Sequence, residues 1–194
     1  MEQPDLIGFD ATPPGFVYQS EFLTPQEETR LLQRMKTLPL QEAVYRQWQA
    51  RRRIVSYGGR YDFSRQSLDP ASPIPDFLDF LRKRIAEWAA IRPEAIQHAV
   101  IAEYGMGTQL GWHRDVPQFD QVMGVSIAGQ ARMRLRPYPP VKGARAAVAI
   151  ELARRSAYRF QGPARWEWQH SISPTRELRY SITFRTLRRR EGHP

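Results

Sequence analysis

The second half of the chain leaves little room for anything but a β-sheet fold. From about residue 96 it runs in short segments rich in Val, Ile, Tyr and Phe, broken by Gly, Pro and charged pairs. These are Ile96 to Tyr104, Val122 to Ile127, Met133 to Arg136, Ala146 to Glu151, Ala157 to Phe160, Trp166 to His170 and Leu178 to Leu187. β-branched and aromatic side chains crowd a helix but pack well on a pleated surface, and breaks at this spacing suit antiparallel hairpins. Such a series of short strands closes as a jelly roll or a barrel. The first half adds helices. Thr24 before Pro25, with Glu27 three residues on, reads as a capping box, and Glu28, Leu31, Leu32 and Met35 follow at helical spacing, which predicts a helix over about 25 to 37. Phe77, Leu81, Ile85 and Trp88 repeat at helical intervals between Pro75 and Pro93, which predicts a second helix over about 76 to 90. No internal repeat, low-complexity run or long linker separates the halves. The expected fold is mainly β with flanking helices (α+β), one domain over 1–194 in which two N-terminal helices support the sheet.

Composition narrows the chemistry. The chain has no cysteine, which excludes disulfides, Cys-ligated zinc, iron–sulfur clusters and a cysteine nucleophile, so any metal must be held by His and carboxylate. No apolar run approaches the roughly 20 residues that span a bilayer, and Met1 to Asp10 has no charged-then-apolar secretory pattern. A cytoplasmic monomer without a membrane partner is expected. Basic residues outnumber acidic ones by 29 to 20, and only Lys36, Lys83 and Lys142 are lysines. An arginine excess suits phosphate, but it also follows from a high-GC coding sequence, so its distribution matters more than its size. Between the helices, Val44 to Arg65 holds Arg46, Arg51, Arg52, Arg53, Arg60 and Arg65 among Tyr45, Trp48, Tyr57, Tyr61 and Phe63, with Asp62 its one acid. Gly58 and Gly59 predict a turn or hairpin there. Two readings stay open: a nucleic-acid surface where arginines hold phosphates and rings stack on bases, or an amphipathic hairpin with rings in the core and solvated arginines.

His113 and Asp115 stand two apart in GWHRD, so on extended backbone an imidazole and a carboxylate face one way and can converge on one ion. The pair alone is weak evidence. His-Arg-Asp also occurs in kinase catalytic loops, but Asp120 stands where that loop needs Asn, no DFG follows and no glycine-rich loop precedes. His170, on a late β segment, supplies a third candidate ligand. Two His and one carboxylate on one face of ferrous iron leave three open positions, the arrangement of non-haem oxygenases. A dicarboxylic 2-oxoacid can chelate such an iron, and its far carboxylate then needs a buried cationic fork, for which Arg179 and Arg185 in RYSITFR are candidates. On a strand Arg179, Ser181, Thr183 and Arg185 share one face.

In four ordered blocks between about 100 and 187 the sequence resembles the AlkB family of iron(II)- and 2-oxoglutarate-dependent dioxygenases: EYGMGTQLGWHRD, VMGVSIAG, GPARWEWQHSI and RYSITFR. RRRIVSYGGRYDF resembles the family's nucleotide-recognition lid. The resemblance implies a double-stranded β-helix of jelly-roll type over 96–187 with a lid hairpin over 44–65. It implies that His113, Asp115 and His170 bind iron, that Arg179 pairs with the distal carboxylate of 2-oxoglutarate, and that Tyr104, Ser181, Thr183 and Arg185 line that pocket. Ala102 and Ser181 depart from the Asn that many relatives carry. In the lid, Arg51, Arg52, Arg53, Tyr57 and Tyr61 are the expected nucleic-acid contacts. The implied reaction is oxidative demethylation of N-alkylated bases in DNA or RNA by molecular oxygen, as in DNA repair, releasing formaldehyde, succinate and CO2. The same oxidation of a methylated protein, and a metal-free nucleic-acid-binding jelly roll, are the rival readings. His98 is expected to be structural, His193 a solvated tail residue, Asp120 a loop acid, and Trp168 a packing partner beside the metal.

Overall fold

The computed structural model describes residues 12–45, 48–62, 65, 67–140 and 148–188. Strand β1 (Phe16–Gln19) leads into helix α1 (Pro25–Met35), followed by β2 (Gln41–Tyr45), β3 (Trp48–Tyr57), β4 (Arg60–Asp62) and β5 (Ser67–Asp69). A 3-10 turn at Asp76–Leu78 runs into α2 (Asp79–Trp88), and a second at Pro93–Ala95 precedes β6 (Ile96–Tyr104). Then come β7 (Leu110–His113), β8 (Phe119–Ile127), β9 (Ala131–Pro137), β10 (Val148–Leu152), β11 (Ala157–Phe160), α3 (Gly162–Trp166), β12 (Trp168–Ile172) and β13 (Arg179–Leu187). The strands form a seven-stranded sheet in the order β1-β11-β8-β13-β6-β3-β2 and a four-stranded sheet in the order β10-β9-β12-β7, with β4 and β5 paired apart. The ladders are antiparallel throughout. This is the jelly roll with supporting helices.

Local chemistry fixes both helices. Thr24 Oγ1 accepts from the Glu27 N–H at 3.2 Å, and Glu27 Oε2 accepts from the Thr24 N–H at 2.9 Å, closing the capping box. Arg84 of α2 grips the same carboxylate, with Nη1 2.7 Å from Oε2, and its hydrogen bonds hold the Glu27 pKa down at about 2. One arginine thus ties α2 to the cap of α1. Leu31, Met35, Leu81 and Ile85 are fully buried against Ile101, Met123, Val125, Ile182 and Phe184 of the large sheet. A second core, between the sheets, joins Val122, Tyr158 and Phe160 to Met133, Leu135 and Ile172. Among the described residues no helix is long and apolar enough to cross a membrane.

Four local expectations change. Trp166 closes α3 instead of opening a strand, because Gly162 and Pro163 start a helical turn there. Asp120 lies inside β8, not in a loop. The four-residue strand β1 is too short to show a period in the sequence, whereas β7 ends at His113, in keeping with the extended backbone read at GWHRD. In the 44–65 region the hairpin is β2 with β3, and β3 joins the large sheet beside β6. Gly58 instead ends β3, at φ +76°, where a Cβ would sit 1.9 Å from the Gln97 carbonyl oxygen.

The pleat of β13 positions everything that follows. Tyr180, Ile182 and Phe184 join the helix-side core, so Arg179, Ser181, Thr183 and Arg185 turn toward the small sheet. Across β6 they register with Tyr104, Ala102, Val100 and His98, and across β8 Ser181, Thr183 and Arg185 register with Ser126, Gly124 and Val122. Gly124 is required here: a Cβ on it would lie 2.1 Å from the Tyr158 ring. Gly124→Ala is expected to cost about 1 to 3 kcal/mol in denaturant unfolding, as overpacked cores do, and Tyr158→Ala should recover part of that loss in the double variant. An unchanged stability for Gly124→Ala would contradict this packing.

Candidate metal centre

Residues two apart on β7 and its extension bring His113 and Asp115 inward, and the β7–β12 ladder pairs His113 directly with His170. The two imidazole rings lie 4.2 Å apart, and one ligand atom from each of His113, Asp115 and His170 falls within 4.8 Å of the others. His113 Nδ1 lies 2.8 Å from the Gly111 carbonyl. A carbonyl can only accept, so Nδ1 carries the proton and Nε2 keeps its lone pair for a metal. His170 stacks on Phe160 at 4.9 Å, which fixes its ring plane.

Asp115 is held from three sides. Arg185 donates from Nε to Oδ1 at 2.8 Å, and its Nη2 makes an ion-pair contact with the same oxygen at 2.8 Å. The other oxygen, Oδ2, then faces His170 Nε2 at 3.7 Å. Burial pushes the carboxyl up, but Arg185, His170 and His113 outweigh it and hold Asp115 well below the usual carboxylate range. Burial holds His170 down at about 3, with His113 adding repulsion, and it lowers His113 as well. The backbone is tied too: buried Arg165 donates from Nη2 to the carbonyls of Asp115, Val116 and Phe119 at 3.1, 2.8 and 2.8 Å. Two neutral imidazoles and one ionised carboxylate, with no sulfur, form a donor set that fits ferrous iron.

Beside this set lies a cationic pocket. Arg179 is 1% exposed, donates from Nε to Ser126 Oγ at 3.1 Å, and lies 5.1 Å from the centre of the Tyr104 ring. Ser181 is buried and Thr183 half-buried on the same face, with the Tyr158 hydroxyl over Gly124.

A family model, the 2OG-Fe(II) oxygenase superfamily, matches residues 15–185. The chain belongs to that superfamily. Its members take iron(II) and 2-oxoglutarate, and the donor set of this chain fits them. The chain is 24% identical over 175 residues to the mouse (Mus musculus) tRNA (carboxymethyluridine(34)-5-O)-methyltransferase ALKBH8, covering 87% of this chain but 26% of that protein. It thus spans about a quarter of the ALKBH8 relatives from mouse and from Macaca fascicularis. It is 27% identical over 197 residues to uncharacterised protein L905 of Acanthamoeba polyphaga mimivirus, covering 89% of this chain and 85% of the relative. In fold it matches OsALKBH1 with a TM-score of 0.69 at 16% identity, covering 89% of this chain and 98% of that one. It also matches a Pseudomonas putida prolyl-4-hydroxylase with a TM-score of 0.64 at 15% identity, covering 90% and 93%.

The structure of this oxygenase gathers His113, Asp115 and His170, sets Tyr104 with Arg179, and commits Arg185 to Asp115 at the metal end of the pocket. It disperses the expected nucleic-acid contacts, because β3 is pleated. Tyr57 is buried in the helix-side core and cannot stack on a base. Arg53 is paired with Glu103, Nε to Oε1 at 2.8 Å, and Arg52 turns inward to Tyr104. Arg51 belongs to β3 with its side chain outside the described residues, and Tyr61 lies half-buried in β4. The amphipathic-hairpin reading thus holds for Tyr57. His193 lies outside the described residues. His98 is structural as expected, but it is not remote from the site: its Nδ1 accepts from Arg185 Nη1 at 3.3 Å, and its ring packs on Phe119 at 4.5 Å. Arg165 and Tyr158 gave no sequence signal of their own, since a lone Arg in a helical turn and a lone Tyr in a strand have no distinguishing neighbours.

Two outcomes follow from this geometry. Alanine at His113, Asp115 or His170 should abolish tight divalent-metal binding, read by titration calorimetry, while the fold persists; retained affinity in any one would contradict the donor set. His98 gives a pH dependence. Burial, then Arg185, holds it neutral down to about 3 against an ordinary value of 6.5, so between these values the unfolded chain binds more protons. Its contribution is therefore complete above pH 6.5 and is lost as the pH falls, by up to about 1.4 kcal/mol per pH unit. Denaturant unfolding between pH 7 and 4 should show a shallower slope for His98→Phe, and equal slopes would contradict the assignment.

Proposed function

We propose that this chain is an oxidative demethylase of N-alkylated bases in nucleic acid, releasing formaldehyde, succinate and CO2. The observation that carries this reading is that two of the sequence relatives, the ALKBH8 proteins of mouse and Macaca fascicularis, carry a tRNA-modifying name, whereas prolyl hydroxylases match in fold alone. The outer face of the small sheet, on the side of β7 and β9 away from the metal ligands, adds cations suited to a nucleic-acid backbone. Arg114 stacks on Tyr138 at 3.9 Å, and Arg134 and Arg136 lie 5.0 and 4.3 Å from the Trp112 ring. These cations flank the strand that carries His113. A guanidinium resting on a ring can hold a phosphate while keeping its stacking partner.

In this reading His113 Nε2, Asp115 Oδ2 and His170 hold the iron, and Arg185 keeps Asp115 ionised and presents one oxygen only. Arg179, with Tyr104 and Ser126, receives the distal carboxylate of 2-oxoglutarate, and Ser181, Thr183 and Arg185 complete the wall. Iron and 2-oxoglutarate, once bound, supply the oxidation by dioxygen. The chain orients the reactants and keeps water out. Burial raises Tyr158 to about 12, so its hydroxyl stays protonated and acts as a donor, not a base. The substrate base must leave its stack to reach this depth.

Mass spectrometry of methylated oligonucleotides and methylated peptides, each with enzyme, iron(II) and 2-oxoglutarate, tests the reading. Loss of methyl from an oligonucleotide is expected, and loss from peptides alone would favour a protein substrate. Replacing Arg114, Arg134 and Arg136 by Ala should flatten the salt dependence of single-strand binding by about 0.7 for each lost phosphate contact. An unchanged slope would take nucleic acid off this face.

A further inference from the structure

Arg52 stands in the basic run that reads as a lid, yet it belongs to the interior. Its pleat partners Arg53 and Val55 turn toward Glu103 and the helix-side core, while Arg52 turns toward the pocket. Arg52 Nη1 donates to the Tyr104 hydroxyl at 3.3 Å, and its guanidinium carbon lies 5.8 Å from the ring centre. Arg179 approaches the same ring at 5.1 Å. Two guanidinium groups therefore converge on one phenol, and their charge outweighs burial to lower the Tyr104 pKa.

Neither cation meets a carboxylate among the described residues. The nearby acids are engaged elsewhere: Glu103 faces the other side of β6, held by Arg53 at 2.8 Å and by the Tyr180 hydroxyl at 2.6 Å, and Asp115 is held by Arg185. Arg52 Nε is buried and has no hydrogen-bond partner. Ala102 and Ile54, the next inward pair of the ladder, offer no polar atom to it. Like charges gathered in a half-buried pocket with a spare donor require an anion.

We propose that Arg52 is a second cationic contact for the distal carboxylate of 2-oxoglutarate, sharing it with Arg179 and the Tyr104 hydroxyl. This rests on reading Arg179 as that carboxylate's partner. One carboxylate between two forks uses donors from both β13 and β3. Arg52 then makes the site selective for a dicarboxylic 2-oxoacid over a monocarboxylic one.

The test is titration calorimetry of the full chain with Mn(II) in place of iron, so that nothing turns over. The ligands are 2-oxoglutarate and 2-oxobutyrate, which lacks the distal carboxylate. Loss of one charge-assisted hydrogen bond predicts that Arg52→Ala weakens 2-oxoglutarate about tenfold and leaves 2-oxobutyrate unchanged. Arg52→Lys, which keeps the charge without the fork, should fall between wild type and alanine, and unliganded thermal midpoints identify any variant that does not fold. Wild-type affinity for 2-oxoglutarate in Arg52→Ala, with Arg179→Ala strongly weakened, overturns the proposal alone. Equal weakening of both ligands by Arg52→Ala also overturns it. Full affinity in Arg179→Ala overturns the underlying reading of the pocket.

Discussion

The bond between Arg185 and Asp115 is the constraint on which the site depends. A carboxylate this deeply buried would protonate unless a cation stood against it, and a protonated Asp115 is a poor metal ligand. Arg185 supplies that cation from the large sheet to a loop that follows the small sheet's edge strand. Because its Nε hydrogen bond and its Nη2 ion-pair contact both fall on one oxygen, it also chooses which oxygen remains for the metal. His98 and Phe119 confine the guanidinium from the other side.

The fold makes this arrangement affordable in packing terms by separating two apolar cores. The helices cover one face of the large sheet, and the far end of the intersheet space is filled by Tyr158, Phe160, Met133 and Leu135. Between them runs one strip of polar side chains on β13 and β6, from Arg179 and Tyr104 at one end to Arg185 and His98 at the other. Gly124, on the neighbouring strand, leaves the space that the Tyr158 ring occupies.

Much of this was legible in the sequence. The strand run after residue 96, the capping box at Thr24 and the Leu81–Ile85 stripe are local patterns, and local patterns survive folding when packing agrees with them. The three metal ligands were legible because His113 and Asp115 share a face by period two and His170 closes a small set. The support was not. Arg165 reaches the Asp115 loop from fifty residues away, and only the β7–β12 and β6–β13 ladders bring His170 and His98 to their partners. The lid arginines misled for a plain reason: consecutive residues on a strand point opposite ways, so a basic run cannot present all its charges to one ligand. Arg52 and Arg53 differ by one position and by a whole sheet thickness.

The most direct test of the central claim is a crystal structure of the chain with Mn(II) and 2-oxoglutarate. The expected result is one metal bound by His113 Nε2, a single oxygen of Asp115 and His170, with the distal carboxylate of 2-oxoglutarate against Arg179 and Tyr104. A metal bound elsewhere, Asp115 released from Arg185 to bind through both oxygens, or a distal carboxylate away from Arg179 would contradict the account.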